Sequence, residues 1–419
     1  MKKVCVIGLG YIGLPTASIL ATNGFDVIGA DVNSEVVDIV NNGGVHIKEP
    51  GLHAIVQAAV ASGKLKVQDK PEKSDIFIIA VPTPITKDKR ADLSYIKSAA
   101  ESLAPLIKKE DLIILESTSP PGTCKDVLVP IFNSFNLKAG TDYYLAHCPE
   151  RVLPGFTIKE LIQNDRIIGG INKVSSEKAA QFYGGFIEGK IHITDSTTAE
   201  MIKLMENTYR DVNIALANEL AIICEKIGIN VWDVVKLANL HPRVNLHSPG
   251  PGVGGHCIAV DPWFIIGNNS DEAKIMPLSR KINDNMPKYT AKQIRNIVKG
   301  INNPKIAILG VAYKGNIDDT RESPAIKVLE EIEKSGLDYS IYDPHVSKFK
   351  YKLSSLENTL NNADCIVILT NHKEFTDLKP NNVGALVRNK ILYDTRYCVN
   401  HKLWKINGFR VFCLGIGSY

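Results

Sequence analysis

Over residues 1 to about 170, short apolar runs alternate with longer amphipathic stretches. The runs are Val4-Cys5-Val6-Ile7, Asp26 to Ala30, Ile76 to Ala80, Leu112 to Leu115 and Tyr143 to Ala146. Runs this short, apolar nearly throughout and separated by helical stretches, predict parallel strands covered on both faces. From Ser196 the pattern changes to a helical period that reaches about Ile227. Thr197 followed by Glu200 predicts a capping box at its start, and Gly228 predicts its stop. A helix of roughly thirty residues is about 45 Å long, enough to connect two domains. After the Pro/Gly-rich segment Ser248 to Gly255, helix resumes to about Lys299, and Asn302-Asn303-Pro304 reads as a linker. A second strand series follows at Lys305 to Leu309, Tyr339 to Tyr342, Cys365 to Leu369, Ile391 to Tyr393 and Val411 to Leu414. The expected fold class is α/β, with two Rossmann-like doubly wound domains joined by a long-helix central region and boundaries at 1–195, 196–301 and 302–419.

Composition narrows the function classes. At 419 residues the chain exceeds one ordinary core, and 44% hydrophobic with 22% charged residues is a soluble globular balance. No apolar stretch reaches eighteen residues, and Met1-Lys2-Lys3 leads straight into a strand without a signal-peptide pattern, so the cytoplasm is the expected compartment. The eight cysteines form no C-x-x-C pair, which argues against a disulfide framework or a metal site. Five of them, Cys5, Cys148, Cys224, Cys365 and Cys413, lie in apolar runs and are expected as buried thiols. A formal charge of +4 with interspersed signs gives no support for nucleic acid as a partner, but suits anionic small ligands.

Gly8-x-Gly10-x-x-Gly13, enclosing Tyr11 and Ile12, follows the first strand and opens a helix. That context is the one a dinucleotide fingerprint requires, because its glycines let the backbone turn and approach a pyrophosphate at a helix N-terminus. Asp31 ends the second strand at the distance expected for a ribose contact, and no Arg or Lys follows it in Val32-Asn33-Ser34, which favours NAD over NADP. Thr83 and Thr118 follow the third and fourth runs, where ligands bind or where a turn simply needs a hydroxyl. On the long helix, Lys203, Asn207 and Arg210 form one polar stripe, either a solvated face or donors able to orient an alcohol and stabilise an oxyanion. Cys257 lies in Gly254-Gly255-His256-Cys257-Ile258-Ala259-Val260-Asp261, unlike the apolar surroundings of the other thiols. Position alone leaves it open as a structural thiol or as the nucleophile that an alcohol dehydrogenase needs to go beyond the aldehyde.

Taken together these motifs resemble the family of UDP-glucose and GDP-mannose dehydrogenases, along the whole chain. The resemblance rests on the glycine fingerprint, Pro82-Thr83-Pro84, Glu116-Ser117-Thr118-x-x-Pro121-Gly122-Thr123, Pro149-Glu150-Arg151, Ala199-Glu200-Met201-x-Lys203-x-x-x-Asn207, Gly254-Gly255-His256-Cys257-x-x-x-Asp261, Ala312-Tyr313-Lys314 and Asp319-Thr320-Arg321-Glu322-Ser323-Pro324. It implies oxidation of a nucleotide-sugar C6 alcohol to the carboxylate with two NAD, through a Cys257 thiohemiacetal and thioester. It implies that Lys203 and Asn207 hold the C6 oxygen, that Asp261 with Thr118 activates or places a water, and that Glu150 is a general acid or base. Lys314 and Arg321 then reach the cofactor and the cleft from the last domain.

Within the family, His256 and Val260 depart from the usual UDP-glucose pattern. The segments Pro149-Glu150-Arg151-Val152-Leu153-Pro154-Gly155, Asn239-x-His241-Pro242-Arg243-Val244-Asn245 and Cys257 to Phe264 look most like the branch acting on UDP-N-acetylmannosamine, whose product feeds surface polysaccharides. UDP-N-acetylglucosamine stays open as the substrate, since the two sugars differ only at C2. Arg151, Val152, Arg210, His241, Arg243, Gly254, Tyr313 and Arg396 join the expected substrate contacts, with Arg243 supplied by this chain or a neighbour. Gly310 alone follows the first strand of the last domain, so that domain is expected to hold UDP rather than a second NAD. The resemblance implies a dimer built on the long helix, so a homodimer or higher homo-oligomer is expected here, the alternative being that the helix's apolar face is buried within one chain. A β-hydroxyacid dehydrogenase or a silent NAD-binding protein are the rival readings, against which Cys257, Lys203 and the second α/β domain weigh.

Overall fold

The structure, a computed structural model, describes residues 2–267 and 269–417. It divides into two compact units, Met1–Glu206 with Trp263–Asn269, and Asn207–Pro262 with Ser270–Tyr419.

The first unit is built on eight strands: β1 (Lys3–Ile7), β2 (Asp26–Ala30), β3 (Leu65–Gln68), β4 (Ile76–Ile79), β5 (Asp111–Leu115), β6 (Tyr143–His147), β7 (Arg166–Gly170) and β8 (Ile191–Asp195). They lie in the order β3-β2-β1-β4-β5-β6-β7-β8. Pairing is parallel except between β6 and β7. Successive side chains of a strand face opposite ways, and here both directions lead into a core: Val4, Val6, Ile78 and Ile114 on one face, Cys5, Ile7, Phe77, Ile79 and Ile113 on the other. This two-sided burial, worth ~1.5–3 kcal/mol for each large aliphatic side chain, is why five strands read as unbroken apolar runs. The other three do not read that way: β3 alternates buried with wetter positions, β8 is largely exposed, and β7 begins with Arg166 and ends in two glycines.

The second unit carries β9 (Lys305–Leu309), β10 (Asp338–Tyr342), β11 (Cys365–Ile368), β12 (Ile391–Asp394) and β13 (Arg410–Cys413), all parallel in the order β10-β9-β11-β12-β13. All five correspond to the predicted runs. Its sheet is again covered on both faces, by Ile306, Ile308 and Val328 on one side and Ala307, Leu309 and Trp404 on the other. In each sheet the strand order reverses beside the first strand, between β1 and β4 and between β9 and β11. Open α/β sheets bind ligands at such switch points, outside the carboxyl ends of the strands.

The predicted long helix is present as Ser196–Ile227, and Gly228 in the left-handed region (φ 77°) ends it. Its start differs from the expected capping box. Asp195 Oδ1 accepts the Thr198 amide at 3.0 Å, while Glu200 accepts the amides of Gly122 (2.5 Å) and Cys124 (2.8 Å). A fully buried carboxylate needs several donors, and the turn at Gly122 offers them. Burial still pushes Glu200 up to about 7 against those amides. Among the described residues no helix is long and apolar enough to cross a membrane.

Within the second unit, the helix Ile275–Ile297 is tied to residues 211–218 by a buried polar network. Arg280 pairs with Asp211 at 2.5 Å, Asn283 donates to Asp211 at 2.8 Å, and Asn218 donates to Asn283 at 2.9 Å. Removing one partner of a buried pair leaves an uncompensated charge. Arg280→Met is therefore expected to destabilise the second unit by roughly 3–5 kcal/mol, read by urea denaturation; a change below about 1 kcal/mol shows that Asn283 alone satisfies Asp211.

Candidate active site

At the switch point of the first sheet the three fingerprint glycines do three different things. Gly8 adopts φ 87° and donates to Ala30 O at 2.8 Å. A Cβ at Gly13 would lie 1.8 Å from Gly8 O, whereas one at Gly10 would meet nothing within 4 Å. Gly8 makes the turn, Gly13 allows the helix Gly13–Thr22 to sit tightly against it, and Gly10 leaves an open approach for a pyrophosphate. Asp31 follows β2, its two oxygens accepting the amides of Leu9 (2.8 Å) and Asn33 (3.0 Å). It is half-buried and keeps lone pairs for a ribose. Tyr11 is exposed, Ile12 half-buried, and Thr83 and Thr118 stand half-buried after β4 and β5. These residues fit a dinucleotide.

After β6, Glu150 is half-buried, and burial pushes its carboxyl up to about 7 against the pull of Lys203 and Arg166. The Val152 amide donates to it. Lys203 is 8% exposed, beside the fully buried His147, which burial and the Lys203 charge bring down to about 3, so that its ring stays neutral. The Arg151 guanidinium is engaged within the protein, by Glu206 at 2.5 Å and by Asp165 O at 3.1 Å. Glu116 of the Glu-Ser-Thr motif is structural: Tyr183 donates to it at 2.6 Å in the interior.

In the second unit, Asn207 donates to Asp261 at 2.6 Å, both side chains buried. The carbonyl of Cys257 accepts the amides of Val260 (3.0 Å) and Asp261 (2.8 Å), so the nucleophile candidate itself seeds the turn that delivers Asp261. Cys257 is exposed, whereas the five cysteines expected to be buried are buried, as is Cys124. The segment before Cys257 is held from outside. Asn218 accepts the Gly250 amide at 2.9 Å, and a Cβ at Gly250 would lie 2.6 Å from the Arg396 guanidinium. A Cβ at Gly254 or Gly255 would lie 2.8 or 2.9 Å from Tyr313. The Gly255 amide donates to Arg321 O at 3.1 Å.

The remaining expected residues are more scattered. Arg210 is exposed beside His247, off the buried face that carries Asn207. His241 and Arg243 are exposed, the His241 ring accepting the Arg243 amide at 3.3 Å. Lys314 is exposed, and Arg321 forks onto Asp319 at 2.6–3.1 Å. Arg396 donates to Leu369 O at 3.0 Å, and burial brings its guanidinium down to about 10.

Two residues escaped the sequence reading. Asp343 Oδ2 accepts the amides of Val311 (2.7 Å) and Ala312 (3.2 Å) and faces His372 Nε2 at 3.0 Å. Burial opposes its charge, but His372 and the Val311 and His345 amides outweigh it and bring Asp343 down to about 2. The signal was available: Asp343 follows β10 as Asp31 follows β2, and Gly310 follows β9 as Gly8 follows β1.

Known proteins match this arrangement throughout. Three models of the UDP-glucose/GDP-mannose dehydrogenase family match, the NAD binding domain over residues 2–187, the central domain over 197–285 and the UDP binding domain over 307–401. The UDP-N-acetyl-D-mannosamine dehydrogenase of Methanococcus maripaludis is 51% identical over 100% of this chain and 98% of its own. The solved UDP-D-ManNAc dehydrogenase of Pyrococcus horikoshii superimposes with a TM-score of 0.94 at 42% identity, covering 100% of both chains. The UDP-N-acetyl-mannosamine dehydrogenase of Staphylococcus aureus superimposes at 0.91 with 44% identity over 99% of both.

Burial raises the thiols of Cys5 and Cys148 to about 11, whereas Cys257 is open to solvent. Iodoacetamide at neutral pH is expected to label Cys257 first in the folded protein, as read by peptide mass; equal labelling of Cys5 or Cys148 contradicts the described burial.

Proposed function

The chain belongs to the UDP-glucose/GDP-mannose dehydrogenase family, and from that premise we propose that it is a cytoplasmic enzyme oxidising the C6 alcohol of UDP-N-acetyl-D-mannosamine to the carboxylate. One observation carries the reading: the exposed Cys257 thiol, whose own carbonyl seeds the turn that hands Asp261 to Asn207. The choice of sugar is supported by the full-length relatives at about half identity.

Gly8, Gly10, Gly13 and Asp31, with Tyr11, Ile12, Thr83 and Thr118 around them, would hold NAD, which would supply one two-electron oxidation per molecule and so four electrons from two. The chain's own residues do the rest. Lys203 and Asn207 donate to the C6 oxygen as it gains charge, their burial strengthening that interaction. The Cys257 sulfur bonds to C6 of the aldehyde, giving a thiohemiacetal that is oxidised to a thioester. Covalent attachment keeps the reactive carbon in place between the two oxidations. Water then displaces the sulfur, leaving a carboxylate and a free thiol; Glu150 takes the proton from that water, with Thr118 and Asp261 orienting it. A carboxyl at about 7 is matched to proton transfer near neutral pH.

The last domain holds the UDP moiety through Tyr313, Lys314 and Arg396, with Arg321 as a further ligand contact and Gly254 and Val152 assigned to the sugar. Arg210, His241 and Arg243 are exposed and suit contacts made after assembly. Tyr209, Leu216 and Ile223 recur at every seventh residue on the long helix, all exposed. An apolar stripe of this kind supports a homodimer.

A panel of UDP-sugars with NAD is expected to give two NADH per acid with UDP-N-acetylmannosamine preferred; one NADH per sugar indicates β-hydroxyacid dehydrogenase chemistry, and none a silent NAD-binding protein. Cys257→Ser is expected to lower acid formation by roughly 10⁴-fold, and normal acid production by that variant contradicts the covalent route. Because Glu150 must lose its proton to act as base, kcat is expected to rise with pH through about 7, and this limb is expected to vanish in Glu150→Gln; a limb that persists there takes Glu150 out of the role.

A further inference from the structure

The geometry points to His372 as a positioning residue for nucleotide-sugar binding: it closes the Asp343 carboxylate and sets the 310–316 loop that carries Tyr313 and Lys314. The inference rests on the reading, given above, that this loop contacts the UDP-sugar.

The two sheets offer an internal comparison. In each, a glycine after the first strand takes a positive φ (Gly8 87°, Gly310 89°) and donates to the last residue of the neighbouring strand, Ala30 or Tyr342, at 2.8 Å. In each, the next residue in the chain carries a carboxylate that accepts an amide of the turn, Leu9 to Asp31 and Val311 to Asp343. The carboxylates then part ways. Asp31 is half-buried and keeps capacity for a ligand, whereas the Asp343 side chain is fully buried with His372 upon it.

His372 comes from the segment after β11, across the switch point from the loop it holds. Its Nε2 faces Asp343 Oδ2 at 3.0 Å and its Nδ1 accepts the Asn316 amide at 2.8 Å. The second bond assigns the tautomer, because a ring nitrogen that accepts an N–H carries no proton; the proton is on Nε2 and is donated to Asp343. Both ring nitrogens are thereby used, one at the start of the loop through Asp343 and one at its end through Asn316. Thr370 Oγ1 donates to Ala312 O at 2.7 Å, and Asn316 Oδ1 accepts the Lys373 amide at 2.8 Å. Between these anchors Lys314 projects into solvent and Tyr313 lies against Gly254 and Gly255, just before Cys257. A loop fixed at both ends meets its ligand without losing further conformational entropy on binding, so the anchor should act on substrate affinity more than on turnover.

The two half-substitutions separate the two bonds. His372→Asn keeps an acceptor near the Nδ1 position and loses the donor to Asp343; His372→Gln keeps a donor near Nε2 and loses the acceptor for Asn316. In the full-length enzyme, His372→Gln is expected to raise KM for UDP-N-acetylmannosamine about tenfold, as loss of one hydrogen bond predicts. Its kcat and KM for NAD should stay within about threefold, and the Asn316 amide should exchange with deuterium about tenfold faster. His372→Asn is expected to keep Asn316 exchange within about threefold of the parent and to raise sugar KM less than His372→Gln does, because the Val311 and Ala312 amides still bind Asp343. Unchanged sugar KM in His372→Gln, unchanged Asn316 exchange, or a parallel loss of kcat and both KM values in the two variants overturns the proposal. Lys314→Ala, measured alongside, separates the premise from the inference: if it leaves sugar KM unmoved, the reading of the loop fails; if it raises sugar KM while His372→Gln does not, only the role of His372 fails.

Discussion

Just beyond the carboxyl end of a parallel strand the next amides leave the ladder and need other partners, while the chain must turn back at once to enter a helix. Both sheets meet this constraint with a left-handed glycine and an aspartate placed just beyond the adjacent strand, Gly8 with Asp31 and Gly310 with Asp343. The arrangement gathers donors and a carboxylate at the switch point, which is why ligands bind there. In the first sheet the carboxylate stays available and Gly10 leaves room beside it; in the second His372 occupies it. The same local solution thus gives one end suited to a dinucleotide and another in which the carboxylate is closed off by a histidine.

The segment that leads to Cys257 poses a different problem. The four glycines between Ser248 and Gly255 have no side chains to fix the path of the chain, and their freedom must be removed by neighbours. Here that comes from Asn218 and Arg396 at Gly250 and from the Tyr313 ring at Gly254 and Gly255. Asn218 is itself held by Asn283, and Asn283 by the Asp211–Arg280 pair. A buried polar chain of this kind adds little to net stability compared with an apolar replacement. What it supplies is a single register between two helices and the loop that leads to Cys257.

Much of this was legible in the chain itself. Strands buried on both faces announce themselves as apolar runs, and five in each sheet did so. β3, β7 and β8 were not legible, because a strand near an edge keeps polar residues and a strand packed closely on its neighbours uses glycine, and neither leaves a run. The long helix was legible from its period, but its expected capping box was not formed. Glu200 has the right spacing for one, yet the donors that best satisfy a buried carboxylate lie on the turn at Gly122, far away in sequence.

The division follows from the range of the forces involved. Turn glycines, the apolar period and the unusual setting of Cys257 are local properties, so the sequence alone determined the fold class and the dinucleotide turn, and it set Cys257 apart from the buried thiols. Which partner meets each buried polar group is decided only when distant segments come together. Only the tertiary structure could show that Asn207 meets Asp261, that Arg151 is engaged by Glu206, that Arg210 points away, and that His372 stands on Asp343. Each of those pairings follows from the cost of leaving a polar group unsatisfied in the interior, and no spacing along the chain encodes it.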